Sequence, residues 1–277
     1  MAELTGIFAT PHAPPLVRDW NSIAPARRAG LGAAFAELGR RITAARPDVL
    51  VMIGADHWAN FFLSNMPGIA LGCGELHDGP PERWLADYPH RAMAGHAAFG
   101  QHLATVAYGA SFEPSLCYQL ALDHSFCVPL WKSGLDPLPA IVPVIINAME
   151  APLPSMRRCY EFGTVLKQAI DSFPAPLRVA VLASGGLSHS VGEPAMGDID
   201  EDFDRACLAR FGLHDPQPLF DFLSDARVAR AGNGASETRF WAVAHGVAAA
   251  RGFEHFYYGA IPEVYTGCAF AEWRLTP

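Results

Sequence analysis

Val49–Leu50–Val51–Met52–Ile53 runs directly into Gly54–Ala55–Asp56–His57. Five consecutive apolar residues, most of them β-branched or bulky, read as a strand buried on both faces, the kind that sits inside an α/β sheet. The same pattern occurs twice more. Ile7–Phe8–Ala9 leads into Thr10–Pro11–His12, and Val179–Ala180–Val181–Leu182–Ala183 leads into Ser184–Gly185–Gly186–Leu187–Ser188–His189. In open α/β sheets, chemistry gathers at the carboxyl ends of the strands. Polar residues spread over most of the chain can therefore meet in one cleft, and the set singled out is His12, His57, His124, His189 and Glu237.

Outward from these strands, apolar runs alternate with helical patterns. Residues 24–45 predict a helix, with Leu31, Ala34, Phe35, Leu38 and Ile42 on one face. Further helices are predicted over 90–108, 155–173, 198–211 and 237–251, and strands over 68–71, 140–146 and 268–273. Residues 73–89 are rich in Gly, Pro and charge and read as a long irregular loop, placed as a lid over the cleft. No repeat and no interdomain linker stands out. The expected architecture is a single α/β domain over residues 1–277, a central mostly parallel or mixed sheet flanked by helices, with the active site at the strand C-terminal ends.

Composition fits that architecture. Of the 277 residues, 51% are hydrophobic and 17% charged, enough apolar matter for a large core and too little charge for disorder. The net charge of -8 argues against general nucleic-acid or anionic-membrane binding. The six cysteines are dispersed and form no C-x-x-C pair, so a structural zinc site is not expected and reduced thiols of a cytoplasmic protein are. The first residues carry no basic segment followed by an apolar one, and no run of about 20 apolar residues predicts a membrane span.

A lone histidine near a strand end is more often structural than catalytic, and His77, His90, His96, His102, His214, His245 and His255 are read as surface or structural. The local settings of the other four differ. Pro11 and Pro14 stiffen the loop that presents His12. Trp58, Phe61 and Phe62 follow His57 and either line a pocket for a flat ring or pack in the core. Gly185 and Gly186 permit close backbone approach ahead of His189. Glu237 follows Ser236, a plausible N-cap for the next helix. Two histidines and a carboxylate are the ligand set of a non-haem Fe(II) oxygenase, with further histidines left for proton transfer. Other signatures fail. There is no G-x-S-x-G, no H-E-x-x-H and no P-loop, and neither Gly72–Cys73–Gly74 nor Gly232–Asn233–Gly234 completes a dinucleotide fingerprint.

Five segments then resemble a known family. They are Thr10–Pro11–His12, Gly54–Ala55–Asp56–His57, Leu122–Asp123–His124–Ser125–Phe126–Cys127–Val128–Pro129–Leu130, Gly185–Gly186–Leu187–Ser188–His189 and Glu237–Thr238–Arg239–Phe240–Trp241. In order and spacing they are similar to the class III (type II) extradiol ring-cleavage dioxygenases, the group of the protocatechuate 4,5-dioxygenase catalytic β subunit. The resemblance implies that His12, His57 and Glu237 hold Fe(II), and that His124 and His189 line the pocket as acid–base residues; of the two, His124 is assigned as the base and His189 as the acid. It implies cleavage of a catechol-type or aminophenol-type ring by O2, beside the diol. A homo-oligomer is expected, and some relatives add a small accessory subunit over the active site.

Three protein ligands on one face of iron leave adjacent positions for two catechol oxygens and O2. The metal acidifies the phenol, and a neutral histidine accepts its proton. The substrate pocket is expected around Trp58, Phe61, Glu263, Val264 and Tyr265. Glu263 and Val264 depart from the small polar residues associated with a ring carboxylate, so a neutral or amine-bearing ring is expected rather than protocatechuate. The rivals are a zinc hydrolase on the same ligand set and a non-enzymatic interaction protein on the same fold.

Overall fold

The three strands that end in histidines are neighbours. In a computed structural model, which describes residues 1–85 and 90–275, the chain runs β1 (Ala2–Thr10), α1 (Pro15–Arg18), α2 (Pro25–Ala45), β2 (Val49–Gly54), β3 (Ile69–Gly72), β4 (Leu76–Gly79), β5 (Arg91–Ala94), α3 (Ala97–Gly109), β6 (Ser115–Cys117), α4 (His124–Lys132), β7 (Ala140–Ile146), α5 (Met156–Ser172), β8 (Leu177–Ser184), α6 (Glu201–Phe211), α7 (Gln217–Phe222), α8 (Asp225–Arg230), α9 (Thr238–Val247), β9 (Phe253–Ile261) and β10 (Thr266–Trp273). Eight strands form one sheet in the order β6-β3-β7-β2-β8-β1-β10-β9. The central four, β7-β2-β8-β1, are parallel, with Ile53 opposite Ala183 and Thr10 opposite Ser184. The β3–β7, β1–β10 and β10–β9 pairs are antiparallel, so the sheet is mixed.

Strand alternation feeds two cores. Val49, Val51 and Ile53 join Val142, Val144, Val179, Val181 and Ile7 on the face covered by α3, α5 and α9. Leu50 and Met52 join Ile141, Leu182 and Phe8 on the face covered by α2 and α4. Every residue of β2 is buried because both faces are covered, which is why its sequence is an unbroken apolar run.

Two expectations need correction. Residues 90–108 are not one helix. Arg91–Ala94 pair with Leu76–Gly79 as a small antiparallel hairpin, and the helix begins at Ala97, where the His96 ring accepts from the Phe99 N–H. The segment 73–89 is therefore more regular than its composition implies, and its part 86–89 lies outside the described residues. The edge strands β6 and β9 are not among the expected strands. The first has three residues, too few to show a pattern; the second is aromatic-rich at Phe256, Tyr257 and Tyr258 but only partly buried, without the unbroken aliphatic run of the central strands.

Candidate metal centre and active site

His12, His57 and His189 leave the ends of β1, β2 and β8; His124 opens α4; and Glu237 ends a 3₁₀ turn, Asn233–Glu237, just before α9. The fold brings all five together. Glu237 Oε1 lies 3.0 Å from His12 Nε2 and 3.5 Å from His57 Nε2, and Oε2 lies 3.9 Å from His189 Nε2. Ring centroids are 5.3 Å apart for His12 and His57, and 4.1 Å for His57 and His124.

The hydrogen-bond network fixes which nitrogen of each ring faces the centre. Ser184 Oγ donates to the Ser125 carbonyl at 2.5 Å, so its oxygen accepts the Nδ1–H of His12 at 3.0 Å. Asp123 Oδ2 accepts the Nδ1–H of His57 at 3.1 Å and the His57 backbone N–H at 2.6 Å. Both Nε2 atoms then turn lone pairs toward a carboxylate oxygen. Acceptor facing acceptor at 3.0 Å is repulsive unless a proton or a metal cation lies between them. Without a metal the site holds a proton instead. Burial pulls the His57 pKa down, but Asp123 and Glu237 outweigh it and raise it to about 10. Glu237 is held well below the usual carboxylate range by His12 and His57 against the opposing effect of burial.

The donor set fits a metal on structural grounds. Two ligand atoms at right angles, each about 2.1 Å from a metal, stand about 3.0 Å apart. The His12–Glu237 separation has that value. The other carboxylate oxygen is tied down, since Oε2 accepts the Gly186 N–H at 2.9 Å. That contact explains Gly185, where a Cβ would come within 2.9 Å of the Glu237 Cβ. Ring nitrogens of His12, His57 and His124 also lie within 4.8 Å of one another, so His124 is close enough to join the ligands. Glu237 offers a carboxylate oxygen beside the Nε2 atoms of His12 and His57.

His124 and His189 are set up alike. Glu82 Oε1 accepts the His124 backbone N–H at 2.9 Å and the ring Nδ1–H at 2.7 Å. The Leu187 carbonyl accepts the His189 Nδ1–H at 3.1 Å. Burial lowers the pKa of both rings, most strongly opposed by the Glu82 bond in His124 and by Glu237 in His189. Each is a neutral imidazole with an Nε2 acceptor. Gly234 makes room for one of them, since a Cβ there would lie 2.0 Å from His189 Nε2.

A cavity of about 570 Å³ opens on this cluster. Its lining includes Trp58, Met149, Val191, Met196, Val264 and Tyr265 beside the five polar residues, a size and polarity suited to one substituted ring. Trp58 and Tyr265 reach it from left-handed backbone, φ 64° and 61°, a conformation a non-glycine side chain adopts at a cost and one that gathers at functional sites. Two expected pocket residues are elsewhere. Phe61 is buried in the core on the α2 and α4 face. Glu263 is not in the lining; Arg27 pairs with it at 2.6 Å and the Ala24 N–H donates to it at 3.1 Å. The charge argument against an anionic substrate therefore fails. Glu82, Ser184 and Arg18, all in or behind the site, carry no functional signal in the sequence, and Asp123 carries one only as part of the Leu122–Leu130 segment.

A family model described as the catalytic LigB subunit of aromatic ring-opening dioxygenase matches residues 6–269. The chain belongs to this family. It is similar to gallate dioxygenase of Pseudomonas putida, 31% identical over 163 residues, covering 57% of this chain and 47% of that protein. It is also similar to 2,3-dihydroxyphenylpropionate/2,3-dihydroxicinnamic acid 1,2-dioxygenases, 31% identical over 168 residues in Klebsiella pneumoniae and 34% over 170 in Escherichia coli K12, each covering 60% of this chain and 51% of that protein. The match thus spans about half the length of these relatives. An uncharacterized Escherichia coli K12 protein of known structure shares the fold, with TM-score 0.65 and 15% identity over 98% of this chain and 100% of that one. Family membership implies a metal cofactor, in agreement with the donor set. Among the described residues, no helix is long and apolar enough to cross a membrane.

Proposed function

We propose that this chain is an Fe(II)-dependent extradiol dioxygenase that opens a catechol-type or aminophenol-type ring with O2. The observation that carries the reading is the convergence of two oriented imidazole lone pairs on one carboxylate oxygen, with two further neutral imidazoles around the same cavity. Two histidines and a carboxylate with open positions are the donor set of non-haem Fe(II) oxygenases. The names of the similar proteins, both kinds ring dioxygenases, support it.

His12, His57 and Glu237 would hold the metal, which when bound supplies a Lewis acid for a phenol oxygen and a redox centre for O2. The protein supplies the proton handling. His124 Nε2 takes the phenolic proton, and Glu82 steadies the resulting imidazolium through its Nδ1–H. His189 Nε2 is also an acceptor, so it delivers a proton to the opening ring only after taking one up. The apolar walls hold the ring flat and keep bulk water from competing for protons. We assign a single catalytic domain over 1–277. All six cysteines are free thiols, which fits the cytoplasm. A homo-oligomer and an accessory subunit over the cavity mouth are part of the same proposal.

The test loads the protein anaerobically with Fe(II) or Zn(II), then adds O2 and a panel of catechols and 2-aminophenol, following O2 uptake and the ring-opened product. Turnover with Fe(II) alone, abolished in His124→Phe and His189→Phe at full iron content, is the expected result. Turnover of no ring, or equal activity with zinc, refutes it.

A further inference from the structure

We infer that Arg18 anchors an acidic substituent of the ring substrate, so that the cavity prefers catechol acids over neutral catechols. The inference rests on the reading of the cavity as a catechol site.

Among the described residues that line the cavity, Arg18 is the one permanent cation, and Glu237 the one carboxylate. Glu237 is committed to the two histidines and the Gly186 N–H. A neutral ring would bring the cavity no charge to match the guanidinium. An anion at the far end of the ring would meet it.

Its presentation fits that role. Arg18 closes α1, the four-residue helix that follows the His12 loop, so the same short segment carries a proposed metal ligand and the cation. Nε and Nη2 both donate to Asp19 Oδ2, at 2.8 and 2.6 Å, and among the described residues Nη1 carries no hydrogen bond. The pair is exposed, 49% for the Arg18 side chain and 37% for Asp19. Such a pair is weak and readily shared with an incoming carboxylate. Tyr265 lines the same cavity as Arg18 and offers a phenol donor there. Glu263, the anion that would repel an acid, is already bound by Arg27.

The experiment pairs protocatechuate, 3,4-dihydroxyphenylacetate and 3-(3,4-dihydroxyphenyl)propionate with their primary amides and measures kcat/KM on the Fe(II) protein. At least one acid should beat its amide, mainly through KM. Arg18→Gln should cut that acid-to-amide ratio on the order of tenfold, the worth of one charged hydrogen bond at a half-exposed site. Arg18→Lys should retain part of it, and Asp19→Asn should raise it. In parallel, calorimetry on metal-free protein with 4-hydroxybenzoate and 4-hydroxybenzamide reads the same preference with no turnover. A ratio unchanged in Arg18→Gln, in both kinetics and calorimetry, overturns the role of Arg18 while ring opening stands. Failure to open any ring overturns the catechol reading, and the calorimetric arm then decides whether Arg18 still binds the acid.

Discussion

Replacing Asp123 by Asn isolates what one buried carboxylate does for the metal site. Asp123 is 1% exposed. Its Oδ1 accepts the Ser125 N–H at 2.8 Å, capping α4, while Oδ2 accepts the backbone N–H and ring Nδ1–H of His57. An asparagine has only one oxygen for these three donors. If the oxygen stays with His57, the amide NH₂ faces the Ser125 N–H and the cap is lost, at about 1 kcal/mol. The His57 bonds also become neutral and lose roughly half their strength, on the order of another 1–2 kcal/mol. The flipped amide is worse, because it turns NH₂ toward two donors. Asp123→Asn therefore destabilises the metal-free protein by roughly 2–3 kcal/mol. With His57 less firmly oriented and less basic, Fe(II) affinity should fall about 10–100-fold. Asp56→Asn is the control. Asp56 adjoins His57 in sequence but, among the described residues, accepts only from Asn60 and Phe61, so its replacement should lower thermal stability and spare the metal. Anaerobic Fe(II) calorimetry beside thermal melts of the apoprotein reads both quantities. Wild-type Fe(II) affinity in Asp123→Asn, or an equal loss in Asp56→Asn, refutes the reasoning.

Three further outcomes are expected. Gly234→Ala puts a methyl where His189 Nε2 now sits, so turnover should fall on the order of 10²–10⁴-fold while Fe(II) stoichiometry from metal analysis stays at one. Glu82→Gln weakens the support of the His124 imidazolium, and single-turnover kinetics should show a slower chemical step, about tenfold, with unchanged Fe(II) affinity. Asp204 is fully buried against Ser188 and Tyr258, and burial raises its pKa from 3.8 to about 7 despite those donors. The folded state thus binds its proton more tightly than the unfolded state, and stability from this group is full below about pH 4 and lost as pH rises through about 7. The wild-type minus Asp204→Asn difference in denaturant stability should fall over that window; a flat difference would show that the carboxyl is ionised throughout.

The central strands and the polar groups at their carboxyl ends are legible in the amino-acid order. A strand covered on both faces must be apolar at every position, so β2, β8 and the end of β1 were legible as runs, and polar residues immediately after them were legible as strand-end groups. His12, His57 and His189 stand out for that reason. His124 and Glu237 stand out as polar groups too, but an N-terminal helix residue and the end of a 3₁₀ turn have no distinguishing pattern, and it is the resemblance that gives them roles. The partners through which these five act emerge only from chain packing. Glu82 reaches His124 across 42 positions, Asp123 reaches His57 across 66, and Ser184 reaches His12 across 172. A hydrogen bond leaves no periodicity in the chain; its partner is set by how strands and loops pack. Charge behaves likewise. Glu263 looks like an anion beside the substrate in sequence, yet Arg27, 236 positions away, neutralises it outside the cavity, and Arg18 turns the electrostatic preference toward acids. Hydrophobic patterning is written locally because burial acts on each residue in turn, whereas the sign of a pocket's charge is a sum over side chains that only the folded chain brings together.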